Sequence, residues 1–312
     1  METLLLIDAN ALIHRSFHAL PPLTTPQGEP IQALFGLSRI LLKLFREDPQ
    51  AGGFEYIAAL FDRPEPTFRK QKYTEYKAQR PKSPDELISQ IIKAHEVFEK
   101  FGVKTYEIPG FEADDLIGTL AHRFNKNKDV RVVILTGDLD ALQLVEDDKV
   151  VVRTFKKGIS DTMVYDEEQV IARYGFGPQQ LPDYKALSGD PSDNIPGIRG
   201  VGPKTASALL KKYGTLENIL KELKESDKLY DKFKDKKEEA ILFKELATID
   251  CGAPLEVNDI EELKKNQLDV EALTDYFKVL GFESLVKELV GAPPSPKTRR
   301  GAGGGGGQLT FL

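Results

Sequence analysis

Short apolar runs alternate with amphipathic stretches through the first half of the chain. "TLLLID" (3–8), "FEYIAALFD" (54–62) and "RVVILTGD" (131–138) are near-continuous hydrophobic runs, and each closes on an acid. "GVKTYEI" (102–108) reads as a further strand. Helical periodicity fills the intervals at about 31–47, 84–101 and 113–125. Runs of this kind suit strands buried on both faces, and their alternation with helices predicts βαβ units in an α/β fold with a mostly parallel sheet.

The pattern changes near residue 170. "GDPSDNIPGIRGVGPKTASALLKKYG" (189–214) is rich in Gly and Pro before it turns helical; 216–247 is charged and helical, and 268–290 holds one or two more helices. This divides the chain into an α/β domain (1–170), a helical region (171–290) and a tail (291–312). The tail carries five consecutive glycines (303–307), a composition expected to be flexible.

Composition narrows the class. With 312 residues, 40% hydrophobic and 29% charged, the chain suits a soluble globular protein of one large or two modest domains, expected as a monomer. No apolar run reaches membrane-spanning length, so no membrane partner is expected. "METLLLIDANALIHRS" is interrupted by acids and lacks a basic lead, so it reads as a first strand and not a signal peptide. Cys251 is the single cysteine, which rules out an internal disulfide and fits a reducing, cytoplasmic location. The net charge of −6 argues against a uniformly basic surface but leaves room for local basic patches.

The acids carry the first chemical signal. In an open α/β sheet, ligands bind beyond the carboxyl ends of the strands. Asp8, Asp62 and Asp138 stand at or just past such ends, and Asp140 follows Asp138 by two. Glu112, Asp114 and Asp115, in "FEADDLIGTL" (111–120), open a helix after the 102–108 strand, and Asp190 and Asp193 stand in the Gly/Pro-rich loop. Any single one reads first as a helix cap, a turn residue or a dipole-favoured acid of a first helical turn. Together they would repel and raise one another's pKa unless a cation is present. Oxygen ligands without His or Cys select Mg²⁺, with Mn²⁺ as an alternative ion. Two such ions about 4 Å apart suit displacement at a phosphodiester. Glu112 and Asp115 are spaced to share a helical face, which favours Asp115 as a direct ligand and Asp114 as an outer or bridging partner.

Two basic features follow. Segment 63–82 holds seven bases (Arg63, Arg69, Lys70, Lys72, Lys77, Arg80, Lys82) against two acids, with Phe68, Tyr73 and Tyr76 among them. Bases interleaved with rings suit single-stranded nucleic acid; a solvated charged helix is the alternative. Arg15, in the helix after Asp8, is placed to face a phosphate or simply solvent. His14 and His18 read as structural or surface residues, since nothing completes a His-based metal site. "PGIRGVGPKTASALLKKYG" (196–214) sets Gly200 and Gly202 at a tight turn, Pro203 at a helix start and Gly214 at its end. Its exposed amides, with Lys204 and Thr205, form a helix-hairpin-helix grip on a phosphate backbone.

On these blocks the sequence resembles the 5′-3′ exonuclease domain of bacterial DNA polymerase I and its flap-endonuclease relatives. "LLLIDANALIHRSFHAL", "FDRPEPTFRKQKYTEYKAQR", "PGFEADDLIGTLA", "TGDLDALQLV" and "YKALSGDPSDNIPGIRGVGPKTA" occur in order, and the likeness runs over about residues 3–290. The resemblance implies a PIN-like core, a helical arch at about 63–95 and a helix–three-turn–helix element, often with a bound K⁺. It assigns a first metal to Asp8, Asp62, Glu112, Asp114 and Asp115, with Asp62 acting mainly through water. Asp138, Asp140, Asp190 and Asp193 serve the second metal region. Asp8, Asp115, Arg69 and Lys77 become catalytic, the last two as arch bases that steer the scissile phosphate. Tyr73 and Tyr76 become stacking candidates, and Lys70 and Arg80 further DNA contacts.

The implied activity is removal of 5′ flaps and RNA primers near single-strand/duplex junctions, in replication and repair. A junction-binding protein without chemistry and a PIN-type ribonuclease are the competing classes. The length suggests a stand-alone member. "QLTFL" (308–312) resembles peptides that dock on the bacterial sliding clamp, with a frayed tail or an extraneous remnant as the alternative.

Overall fold

The four apolar runs form strands of one sheet. The structure, a computed structural model, describes residues 1–47, 53–158 and 161–291. Among these, β1 (Glu2–Asp8), β2 (Tyr56–Leu60), β3 (Lys104–Tyr106), β4 (Val130–Leu135), β5 (Val150–Lys157) and β6 (Asp161–Tyr165) lie in the order β3-β2-β1-β4-β5-β6. Pairing is parallel from β3 to β5, and β6 runs antiparallel on the edge. The edge pair β5–β6 is not among the strands expected from the sequence.

Thirteen α-helices are described. They are α1 (Ala9–Ala19), α2 (Gln32–Arg46), α3 (Phe68–Lys72), α4 (Asp85–Lys100), α5 (Ala113–Phe124), α6 (Glu167–Tyr174), α7 (Leu181–Ser188), α8 (Pro203–Tyr213), α9 (Leu216–Glu222), α10 (Tyr230–Phe233), α11 (Lys237–Ala247), α12 (Val270–Val279) and α13 (Glu283–Gly291). None is long and apolar enough to cross a membrane.

The two-residue period of the strands builds two cores. Leu4 and Leu6 of β1, with Tyr56, Ala58 and Leu60 of β2, face one side; Leu5, Ile7, Ile57 and Ala59 face the other. The first side is covered by α5 through Leu116, Ile117 and Leu120, and continues into the helices after 170. The second is covered by α1, α2 and α4. The last helices, α12 and α13, insert Leu273, Phe277 and Leu285 into this second core. The helical segment from 171 to 290 therefore splits between the two faces.

Segment 63–84 is less helical than a long arch. It contains α3 and then turns. Residues 85–95, expected within the arch, belong to α4, where Leu87 and Ala94 are buried in the second core. The turn region 73–80 instead lies against the 190–194 loop, as the bonds of Gln79 to Pro191 and Arg80 to Ser192 require.

The glycine-rich loop between α7 and α8 depends on backbone only glycine supplies. Gly197 has φ +69, and a Cβ there would lie 2.2 Å from the Gly189 nitrogen. Pro203 starts α8 and Gly214 (φ +85) ends it, as the sequence predicts.

Candidate active site

Strand topology collects the acids at one edge. β1 and β2 are in register with Asp8 opposite Leu60, and Ile7 pairs with Leu135 of β4. Asp8, Asp62 and Asp138 therefore emerge together at the carboxyl end of the sheet. Asp8 is also the cap of α1, accepting from the Ala11 amide at 2.9 Å and from the Thr136 hydroxyl at 2.7 Å. Asp62 accepts from the Ala113 amide at 2.7 Å, which ties β2 to the start of α5. The result is a cavity of about 200 Å³ lined by Asp8, Asp62, Glu112, Asp114 and Asp138, with Asn10, His14, Lys77 and Arg80 on its walls.

A second acidic group adjoins it. Asp140, Asp190 and Asp193 each offer an oxygen within 4.8 Å of the others. The Asp140 amide donates to Asp138 at 2.9 Å, joining the two groups. Eight of the nine expected metal acids thus fall into two adjacent sets.

Asp115 is placed differently. It is fully buried and does not line the cavity. Its oxygens take a two-pronged pair from Arg69 at 2.8 and 2.6 Å, and accept the amides of Glu112 (3.0 Å) and Asp250 (2.8 Å). The Glu112/Asp115 spacing, read from the sequence as a shared metal-facing side, serves a capping box at the start of α5. Asp114, expected as the outer partner, is the one that lines the cavity. Arg69 is 3% exposed and also donates to the Leu246 and Thr248 carbonyls, so its guanidinium ties α3 to the C-terminal end of α11 and does not face the cavity.

The other expected contacts sort by exposure. Lys77 donates to Glu112 at 2.6 Å and lies 3.9 Å from Asp193; its φ of +52 is left-handed, an unusual state for lysine. Arg80, largely exposed, pairs with Asp193 at 2.8 Å. Tyr76 is 3% exposed, and its hydroxyl sits between Glu112 (3.2 Å) and Asp193 (3.0 Å), so its ring offers no open face to a base in this arrangement. Tyr73 is half-buried, edge-on to Phe243. Lys70 is turned onto the Thr74 and Tyr76 carbonyls. Arg15 donates to the Gly158 carbonyl at 2.6 Å and lies over the Phe155 ring. Gly200, Gly202 and Lys204 are exposed at the start of α8, with Thr205 half-buried just inside it, and Gly202 caps that helix without a side chain, leaving first-turn amides open. The Gln308–Leu312 peptide lies outside the described residues.

Sequence reasoning missed three neighbours. His14 lines the cavity; its place six residues after Asp8 on α1 was the available signal. Thr136 holds Asp8. Lys185, inside the quoted "YKALSGD" block, pairs with both Asp140 and Asp190.

Electrostatics follow from this crowding. Burial, then Asp62, pushes the Asp8 carboxyl up to about 7, against its hydrogen bonds from Ala11 and Thr136. Burial, then Asp138, pushes Asp140 up to about 7 despite Lys185. Asp114 is raised well above the carboxylate range by burial, then by Asp138 and Asp8. Burial would also raise Glu112, but Lys77 and Arg69 hold it below its ordinary value. Carboxylates this close, and this costly to ionise without a counter-charge, fit a hard divalent cation by their donor chemistry.

Comparison with known proteins is consistent across the chain. Residues 3–175 match the family described as 5′-3′ exonuclease, N-terminal resolvase-like domain, and residues 176–271 match 5′-3′ exonuclease, C-terminal SAM fold. The chain is 40% identical over 290 residues to a 5′-3′ exonuclease of Aquifex aeolicus, covering 93% of this chain and 96% of that one. It is 38% identical over 290 residues to DNA polymerase I of Bacillus subtilis, covering 92% of this chain but 32% of that protein. In structure it resembles a T5 5′-exonuclease with bound zinc (TM-score 0.64, 20% identity, 93% of this chain and 99% of that one). It also resembles the catalytic core of Rad2 in complex with DNA substrate (TM-score 0.59, 16% identity, 93% and 92%). The two likenesses support the fold, and the family matches and the 40% relative support descent: this chain belongs to the 5′-3′ exonuclease family.

Proposed function

We propose that the chain hydrolyses phosphodiester bonds of DNA, and of RNA primers, near 5′ ends and single-strand/duplex junctions, in replication and repair. The observation that carries this reading is the cavity where five carboxylates converge at the sheet edge beneath Lys77 and Arg80. Asp8, Asp62, Glu112, Asp114 and Asp138 would hold one Mg²⁺, and Asp140, Asp190 and Asp193 a second, with Mn²⁺ as an alternative. The ions supply Lewis acidity and an activated water. Lys77 and Arg80 bind the scissile phosphate as they leave Glu112 and Asp193. Asp115 and Arg69 act by position: their pair presents Glu112 and Asp114 to the cavity and fixes α3 beside it.

The open amides at Gly202, Lys204 and Thr205 hold the duplex backbone without reading sequence, with K⁺ as the ion at the Gly200 turn. Arg15, Lys70 and Tyr73 complete the DNA surface, and Tyr76 joins it only if segment 73–80 moves. A sliding clamp is the proposed partner of Gln308–Leu312.

A labelled 5′-flap DNA, incubated with the protein in Mg²⁺ and in EDTA, tests the reading. Metal-dependent cleavage at the junction is expected. Binding without cleavage would make the chain a junction-binding protein, and cleavage of unpaired RNA alone would make it a ribonuclease.

A further inference from the structure

Lys185 stands apart among the cations near the acids. It projects from α7, a packed helix, and its side chain is 13% exposed. Its ammonium pairs with Asp140 and lies 2.6 Å from Asp190. The other oxygen of Asp190 accepts from the Ser192 amide and hydroxyl at 2.9 and 2.5 Å. Lys185 therefore takes the free Asp190 oxygen and one oxygen of Asp140, two of the three carboxylates that come within 4.8 Å of one another. The third, Asp193, is faced by Arg80 at 2.8 Å, by Lys77 at 3.9 Å and by the Tyr76 hydroxyl. Arg80 is largely exposed and can swing into water. Lys185 is enclosed, and leaving these oxygens strands an ammonium in a crowded interior.

We propose that Lys185 is a built-in competitor for the cation of the Asp140/Asp190/Asp193 group. This rests on the metal-dependent reading above. A divalent ion entering this group meets a unit positive charge lodged between two of its ligands, and either displaces the ammonium or does without those oxygens. The cavity of Asp8, Asp62, Glu112, Asp114 and Asp138 has Arg80 on its wall and Lys77 and Arg69 (3.9 Å) on Glu112, and its other four acids have no lysine or arginine partner among the described ion pairs. The two groups therefore bind divalent ions with unequal strength, the cavity first.

Mn²⁺ titration of the full chain without DNA, with free ion followed by electron paramagnetic resonance, tests this. The wild type should show a tight and a weak class, and the Asp190→Asn/Asp193→Asn variant should lose the weak one. Lys185→Met keeps the packed stem and removes the charge; it should tighten the weak class by about tenfold or more. Lys185→Gln should do the same, and Lys185→Arg should stay near wild type. Unchanged weak-class affinity in both neutral variants, or its disappearance in them, overturns the role of Lys185 alone. Absence of Mn²⁺ binding in every variant overturns the metal reading itself.

Discussion

Asp114→Asn should cut Mg²⁺-dependent flap cleavage by at least about a hundredfold, while thermal stability and flap binding in EDTA stay near wild type. The side chain lines the cavity, and its ionised form is opposed by burial and by Asp138 and Asp8. Removing that charge relieves repulsion in the metal-free protein, so the fold should not suffer. What is lost is an oxygen ligand for the ion that would offset the negative charge developing on the phosphoryl oxygens. Single-turnover rates and an anisotropy measurement of flap binding check the two halves. A variant that cleaves at more than a tenth of the wild-type rate would remove Asp114 from the site.

Arg69→Ala should behave in the opposite manner and destabilise the whole chain, by about 3–5 kcal/mol in urea unfolding. The substitution leaves a fully buried Asp115 carboxylate facing only two amides. It also frees the Leu246 and Thr248 carbonyls that Arg69 bridges. Cleavage and binding should fall together, because α3, the start of α5 and the C-terminal end of α11 lose their common tie. Asp115→Leu combined with Arg69→Met should cost less than the two single losses summed, since neither variant then strands a charge. A stability loss below about 1 kcal/mol for Arg69→Ala would contradict a keystone role.

The contrast between these neighbours marks what the sequence could and could not say. Strand ends are legible because a buried parallel strand reads as a continuous apolar run. Asp8, Asp62 and Asp138 were therefore placed at the sheet edge by pattern alone. The side to which Asp114 or Asp115 points is another matter. Adjacent helical residues diverge by about 100°, and the choice between them was made by Arg69, 46 positions away in sequence, and by the Asp250 amide, 135 away. The burial of Tyr76 has the same origin. Its ring looked like a surface aromatic among bases, but the 190–194 loop receives it beside Asp193. The β5–β6 edge pair was missed because "VVVRTFKK" carries charge at its end and lacks the terminal acid of the other runs. Lys185 lay in plain view, but its meaning depends on Asp140, 45 residues earlier, which only the tertiary fold brings to it.

Crystals soaked in Mn²⁺ and measured at the manganese absorption edge test the central claim most directly. The account predicts a strong anomalous peak in the cavity of Asp8, Asp114 and Asp138, and a weaker one among Asp140, Asp190 and Asp193. It also predicts that Asp115 stays on Arg69. A peak coordinated by Asp115 with Arg69 displaced, or no peak at the sheet edge, would contradict it.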